Sequence, residues 1–432
     1  QQVTHYLNLS SNTTFQTQTS YVYLLDFTEK EKPPVPDPEF EAVDSAVYIG
    51  IHGGKIRNNV FGGSNSNRIV GHVEIHMLDG AVEGAIYGGS NSRGAIEGKV
   101  QMLISGGIIG TDRTQDAIFA GGLGRDTDVN KNANIFIDDS SNELVINGII
   151  YGGSAQGDVL GSSWISVVDT NENTNRITIN GEIYGGGKGL GNDSADTSGD
   201  AKVKIDGGFY TGLTVYGGCN VNGTIGGVIN VDIGKSIYTI VGEVYGAGNN
   251  ATVTTSTDEV FVRLHKNTLI STNAFNGGNN AGIAGSNSQI PRAIYLYGAE
   301  VLDSVYGGCN QGGDMQETYV YCLEGAKVNN VYGSGLGNGT KVTGNTHVEI
   351  TSVKDDGNLA NPKTTINGSV FGGGEAAPVE QNTNILIEDA IVKVEAKLGR
   401  SASDEEIAAE MGVTVSEFQQ SLLKVSGTSV LS

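Results

Sequence analysis

The chain has 432 residues, 65 of them glycine, and a formal charge of −22. That length allows a large core or one extended array, and the absence of a Gly-X-Y period excludes collagen. So acidic a chain repels phosphate backbones, and no nucleic acid is expected as a partner of its main body. No stretch reaches the roughly 20 apolar residues of a bilayer-crossing helix, so no membrane span is expected.

Residues 1–45 contain THYLNL and TSYVYLLDF, which read as strands of a cap or a small separate β unit. EKEKPPVPDPEF follows, where Pro33, Pro34, Pro36 and Pro38 mark a stiff linker or edge guard. The chain opens QQVTHYLNL without an initiator Met, which reads as a processed or trimmed product, and no signal peptide is visible, so export is an expectation about sequence upstream.

From about residue 46 to 387 one pattern recurs, an aromatic followed by glycines and a polar loop. It appears as VFGGSNS at Phe61, IYGGSNS at Tyr87, IFAGGLG at Phe119, IYGGSAQG at Tyr151, IYGGGKG at Tyr184 and VYGGCNVNG at Tyr216. It continues as VYGAGNN at Tyr245, AFNGGNNAG at Phe275, VYGGCNQGG at Tyr306, VYGSGLGNG at Tyr332 and VFGGGEAA at Phe371. Successive rings are separated by 26 residues (Phe61 to Tyr87) to 39 residues (Tyr332 to Phe371), a period typical of solenoids. Between rings lie short alternating strands such as HVEIHM, RITI, KVKI and NVDI, each with one face to bury. DG, NG or EG pairs usually follow, for example at 79–80, 147–148 and 206–207, and supply turn chemistry. Two or three short strands per repeat favour a solenoid over a propeller, whose repeats need four. The expected fold is all-β, a right-handed parallel β-helix of about eleven coils with a short helical C-terminal segment.

The [VI]-[YF]-G-G repeat with its T-x-V-x-I-type strands resembles the glycine-rich β-solenoid repeats of large bacterial surface proteins. The resemblance covers about residues 46–387 and implies a surface or adhesin-like role without a catalytic assignment.

Two arrangements of the rings are open. They can stack rung upon rung as a ladder, or face solvent as a platform for sugar rings or a partner's surface. The platform would consist of Tyr87, Tyr151, Tyr184, Tyr216, Tyr245, Tyr306 and Tyr332. Alternation argues for exposure, because the Val or Ile before each ring takes the inward slot. Free exchange of Tyr with Phe argues for packing, because the hydroxyl is then dispensable.

RDTDVNKN places Asp126, Asp128, Asn130 and Asn132 at alternate positions, oxygen ligands that a calcium ion would accept. It lacks the glycine and terminal Glu of an EF-hand. Asp193, Asp196 and Asp200 form a looser cluster, and solvated loop acids are the plainer reading of both. No other cofactor is implied. His72, Glu74 and His76 share one strand face and are expected on the wet side, with His347 in a similar HVEI. Cys219 and Cys309 occupy the same slot three repeats apart, too far to pair, and Cys322 leaves an odd count. No nucleophile elbow, phosphate loop or paired-Cys metal site is present. The sequence therefore points to an extracellular structural or adhesive module that binds a glycan or partner protein. The alternative is a carbohydrate-active β-helix enzyme, a lyase or hydrolase.

After Ile387 the language turns helical. Ser403 with Glu406 makes a capping box, Gly412 ends that helix, and Thr414 with Glu417 begins another. The segment 388–432, with AKLGRSASDEEIAAEMGVTVSEFQQSLL, resembles region 3 of flagellar-type (sigma-28) RNA polymerase sigma factors. No other sigma region has a counterpart here. The tail reads either as a segment of separate origin joined to the array or as a small helical cap. Its slightly negative charge argues against DNA binding on its own.

Overall fold

A computed structural model describes residues 45–171, 176–254, 259–284, 292–352 and 363–387, with residues 400, 402–411 and 414–416 of the tail. The N-terminal strands, the proline linker, Gly412 and Glu417 lie outside the described residues. No helix among the described residues is long and apolar enough to cross a membrane.

The array is a parallel β-solenoid of about ten turns. Among the described residues its strands fall into one sheet of 15 and one of 13, with two small pairs. Every pairing between its strands is parallel, which excludes the antiparallel propeller. The longer sheet runs from Ser45–Ile56 through strands such as Val100–Ile104, Ser163–Val168 and Thr318–Leu323 to Thr383–Ile387. The second sheet carries the eleven motif rings, from Val60–Phe61 to Val370–Phe371, and is here called the ladder sheet. A third side consists of single bridges in the earlier coils, Ile69 to Ile96 to Val129 to Val159 to Thr197 to Ile225, and of the two small strand pairs in the later ones.

Three buried clusters follow from this cross-section. Between the two sheets the inward residues of each rung, such as Ile118, Ile150, Ile183, Val203 and Val231, form the main core. Toward the third side lies a small-residue core with Cys219, Ile225, Ala247, Cys309 and Val342. The rings form the third cluster, on the far side of the ladder sheet from the main core.

Glycine is needed in the motif for space. A Cβ on Gly185 would sit 2.3 Å from the carbonyl oxygen of Gly217 on the next rung, closer than van der Waals contact permits. Turn glycines answer a conformational demand instead. Gly80 and Gly207 hold φ of 96° and 94°, where a side chain is strained. Gly181, in an equally plain NG pair, is not among the positive-φ residues.

In the tail, helix Asp404–Met411 begins with the capping box. The Ser403 amide donates to Glu406 at 2.8 Å, and the Glu406 amide donates to Ser403 Oγ at 3.4 Å. Arg400 grips the same carboxylate with both guanidinium nitrogens, at 3.0 and 2.7 Å. Those bonds hold Glu406 at about 2, well below the usual carboxylate range.

Candidate functional site: the ring ladder and the outer face

The motif rings do not face solvent. Phe61, Tyr87, Phe119, Tyr151, Tyr184, Tyr216, Tyr245, Phe275, Tyr306, Tyr332 and Phe371 form one continuous stack. Neighbouring centroids are 4.5 Å (Phe119 to Tyr151) to 5.2 Å apart (Tyr151 to Tyr184). Rings from Tyr87 to Tyr332 are buried, and only Phe371 at the end is strongly exposed. Alternation rightly placed them on the side away from the main core, but exposure did not follow. The polar loop after each glycine pair folds back and covers them.

The cover is offset. Along the strand, amides bond forward to the next rung, as Gly88 N does to Phe119 O. In the loop they bond backward, as Asn220 N does to Gly187 O. In four rungs the residue four places after the ring therefore reaches the ring two rungs earlier. Asn220 donates to the Tyr151 hydroxyl at 3.0 Å, Asn249 to that of Tyr184 at 3.3 Å, and Asn310 to that of Tyr245 at 2.9 Å. Tyr306 donates to Glu375 at 2.8 Å in the same geometry. Asn220, Asn249, Asn279 and Asn310 also bond to one another at 2.9–3.1 Å, a polar file over the rings. Burial raises the phenol pKa of Tyr87, Tyr151, Tyr184, Tyr216, Tyr245 and Tyr306 well above the ordinary value. With both faces covered, these rings cannot stack on a sugar.

Solvent-facing aromatics lie instead on the outer face of the longer sheet. Phe261, Tyr295, Tyr297, Tyr319, Tyr321 and His347 are all half-buried there. Register places Ala293, Tyr319 and His347 in one column, and Arg263, Tyr295 and Tyr321 in the next. Tyr295 stacks on Tyr321 at 4.7 Å and Tyr319 on His347 at 4.5 Å. Tyr295 and Tyr297, side by side on one strand, are parallel within 1°, their centroids 5.6 Å apart. Ring faces cover each other along the rod, so edges and hydroxyls point outward as a flat plate. The Arg263 guanidinium lies 4.5 Å from the centroid of the Phe261 ring and extends the plate toward the N-terminal end. The signal was present in RAIYLY and TYVYCL, whose outward positions are aromatic in consecutive repeats.

His72, Glu74 and His76 do share the outer face, which is only partly wet here, with His72 and Glu74 half-buried. His76 is buried, 2.6 Å from Glu74 and edge-on to Tyr48 at 5.0 Å. His72 Nδ1 accepts the Lys99 amide at 2.8 Å.

At the calcium candidate, Asp126 and Asn132 are exposed and Asp128 and Asn130 half-buried. Two of the four side chains already cap the next rung. Asp128 accepts the Asp158 amide, and Asn132 the Ser162 amide, both at 3.0 Å. The device repeats, with Asp158 capping Asp196 N and Asp196 capping Thr224 N, both at 2.9 Å. Asp193 pairs with Arg125 and Asp200 caps Val228 N. Among the described residues no three His, Cys, Asp or Glu side chains are grouped to hold a metal. Cys219, Cys309 and Cys322 are free and buried, and burial pushes their thiols up to about 12, 11 and 12. No family model, no curated protein and no solved structure matches this chain, so its fold and site stand on their own residues.

Proposed function

We infer that the chain is a surface-displayed, rod-like binding module, structural or adhesive, that meets glycans or partner surfaces along the outer face of its longer sheet. The observation that carries this reading is the plate of Phe261, Tyr295, Tyr297, Tyr319, Tyr321 and His347, half-exposed on a rigid sheet. Aromatic rings with hydroxyl edges provide apolar contact and hydrogen bonding together, at low entropic cost because the stack already fixes them. Likeness of the repeat to bacterial surface solenoids supports display outside the cell. The three buried thiols are compatible with that and add nothing to it.

A glycan and matrix-protein array probed with the labelled protein tests the reading. Binding is expected, and the double change Tyr319→Ala with Tyr321→Ala should weaken it at least tenfold, while Tyr184→Phe in the ladder leaves it unchanged. Unaltered binding by a folded plate variant overturns the assignment. Labelling of intact cells with an antibody tests display.

A further inference from the structure

On the same outer face, nearer the N-terminal end, lies a cleft of about 280 Å³ around Trp164, the only tryptophan in the chain. The register runs Gln101, Asn134, Trp164, Lys202 along one column, on four successive strands of the sheet. At about 4.8 Å per strand the column spans about 14 Å, room for a short oligosaccharide. A second file beside it brings Lys99 and Asn132 to the rim.

The chemistry of this lining departs from the rest of the molecule. The chain carries 48 acidic residues and 26 basic ones, yet no acid lines the cleft and two lysines do. Between the lysines are amides and one half-buried indole, held edge-on by Phe136 at 5.5 Å. Asn132 already accepts the Ser162 amide through its oxygen, so its NH₂ is the end that can serve a ligand. An indole offers a ring face for the C–H side of a sugar. Amides satisfy hydroxyls, and a lysine gives a point charge for a carboxylate. The absence of paired carboxylates in the lining removes the acid and base of glycoside hydrolysis.

Resting on the reading that the outer face meets glycans, we propose that the Trp164 cleft is a binding subsite for a carboxylated saccharide, a uronate-containing oligosaccharide. Trp164 supplies the stacking surface, Lys202 pairs with the carboxylate, and Asn132 and Asn134 take hydroxyls.

Trp164 is its own reporter. Titration of the full chain with a tetra-galacturonate, followed by tryptophan fluorescence, is expected to give a saturable change. The neutral tetra-galactoside should bind at least tenfold more weakly, and Lys202→Gln should weaken the uronate about tenfold, the loss of one charge-assisted hydrogen bond. Equal response to the neutral sugar, an unchanged affinity in Lys202→Gln, or no fluorescence change overturns the proposal. An equal response to a short polyglutamate peptide also overturns it, because the cleft would then read charge and not sugar. Calorimetry in parallel separates the two levels. Glycan binding without a fluorescence change removes this cleft alone, whereas no glycan binding anywhere removes the wider reading. Tyr184→Phe in the buried ladder serves as the control and should leave the fluorescence titration unchanged.

Discussion

Asn310 donates to the hydroxyl of Tyr245 at 2.9 Å across 65 residues of chain, two rungs apart on the rod. Tyr245 also donates to Glu243 at 3.0 Å, so the phenol sits inside a three-member chain. Tyr245→Phe should cost about 1 kcal/mol, the net worth of an ordinary hydrogen bond. Tyr245→Ala should cost about 3–5 kcal/mol, because it opens a hole in the middle of the stack. Denaturant unfolding followed by circular dichroism checks both. Equal costs would show that the hydroxyl, and not the ring, carries the site.

Asn276 stands where most repeats have the first glycine of the motif, and it is fully buried. Neither polar atom of its carboxamide has a hydrogen-bond partner. An unsatisfied buried amide costs about 1–3 kcal/mol, so Asn276→Gly should stabilise the array despite the extra freedom of glycine in the unfolded chain. A raised denaturation midpoint is the expected result, and a lowered one would mean that the amide has a hidden role.

Alkali should unfold the rod through its ladder. Folded phenols are held above the ordinary tyrosine value of about 10, and burial is the main cause. The stabilisation is fully present below about pH 10. It declines above that, where the unfolded chain releases protons that the folded chain keeps. Tyrosinate absorbance of the ladder should therefore rise together with loss of the β signal, in one step. A gradual rise in a still-folded protein would contradict the covered geometry.

The tail helix should behave in the opposite sense. Glu406 titrates at about 2 through Arg400 and Ser403, so its contribution is present above the ordinary value of about 4.3 and is lost as pH falls toward 2. Carbon-detected NMR of the carboxyl, with Arg400→Gln as comparison, gives the midpoint directly. The variant's midpoint should move up.

Calcium in the millimolar range is expected to leave the melting temperature unchanged, because Asp128 and Asn132 already serve backbone amides. A rise that disappears in Asp128→Asn would place the ion at that loop.

The coil was legible in the sequence because its determinants are local and repeated. The inward residue, the glycine against the next rung and the turn at Gly207 each leave a mark within a few positions. Ring burial was not legible, because the lid on Tyr151 is Asn220, 69 residues downstream. Periodicity says on which side of a strand a ring lies, and nothing about what a later loop lays over it. The outer plate is hard to read from sequence for a related reason. Tyr295 and Tyr321 look like ordinary outward strand positions until register brings them to 4.7 Å. Trp164 gave no repeat signal at all, being single.

The two-rung lag between ring and lid also sets a schedule. Chains are made from the N-terminal end, and an array like this can order turn by turn as it emerges. Each new phenol then waits for the lid residue that reaches its hydroxyl until two further turns have been synthesised, so the growing tip is the last part of the ladder to be capped. Phe371, the most exposed ring of the stack, keeps the appearance of that tip.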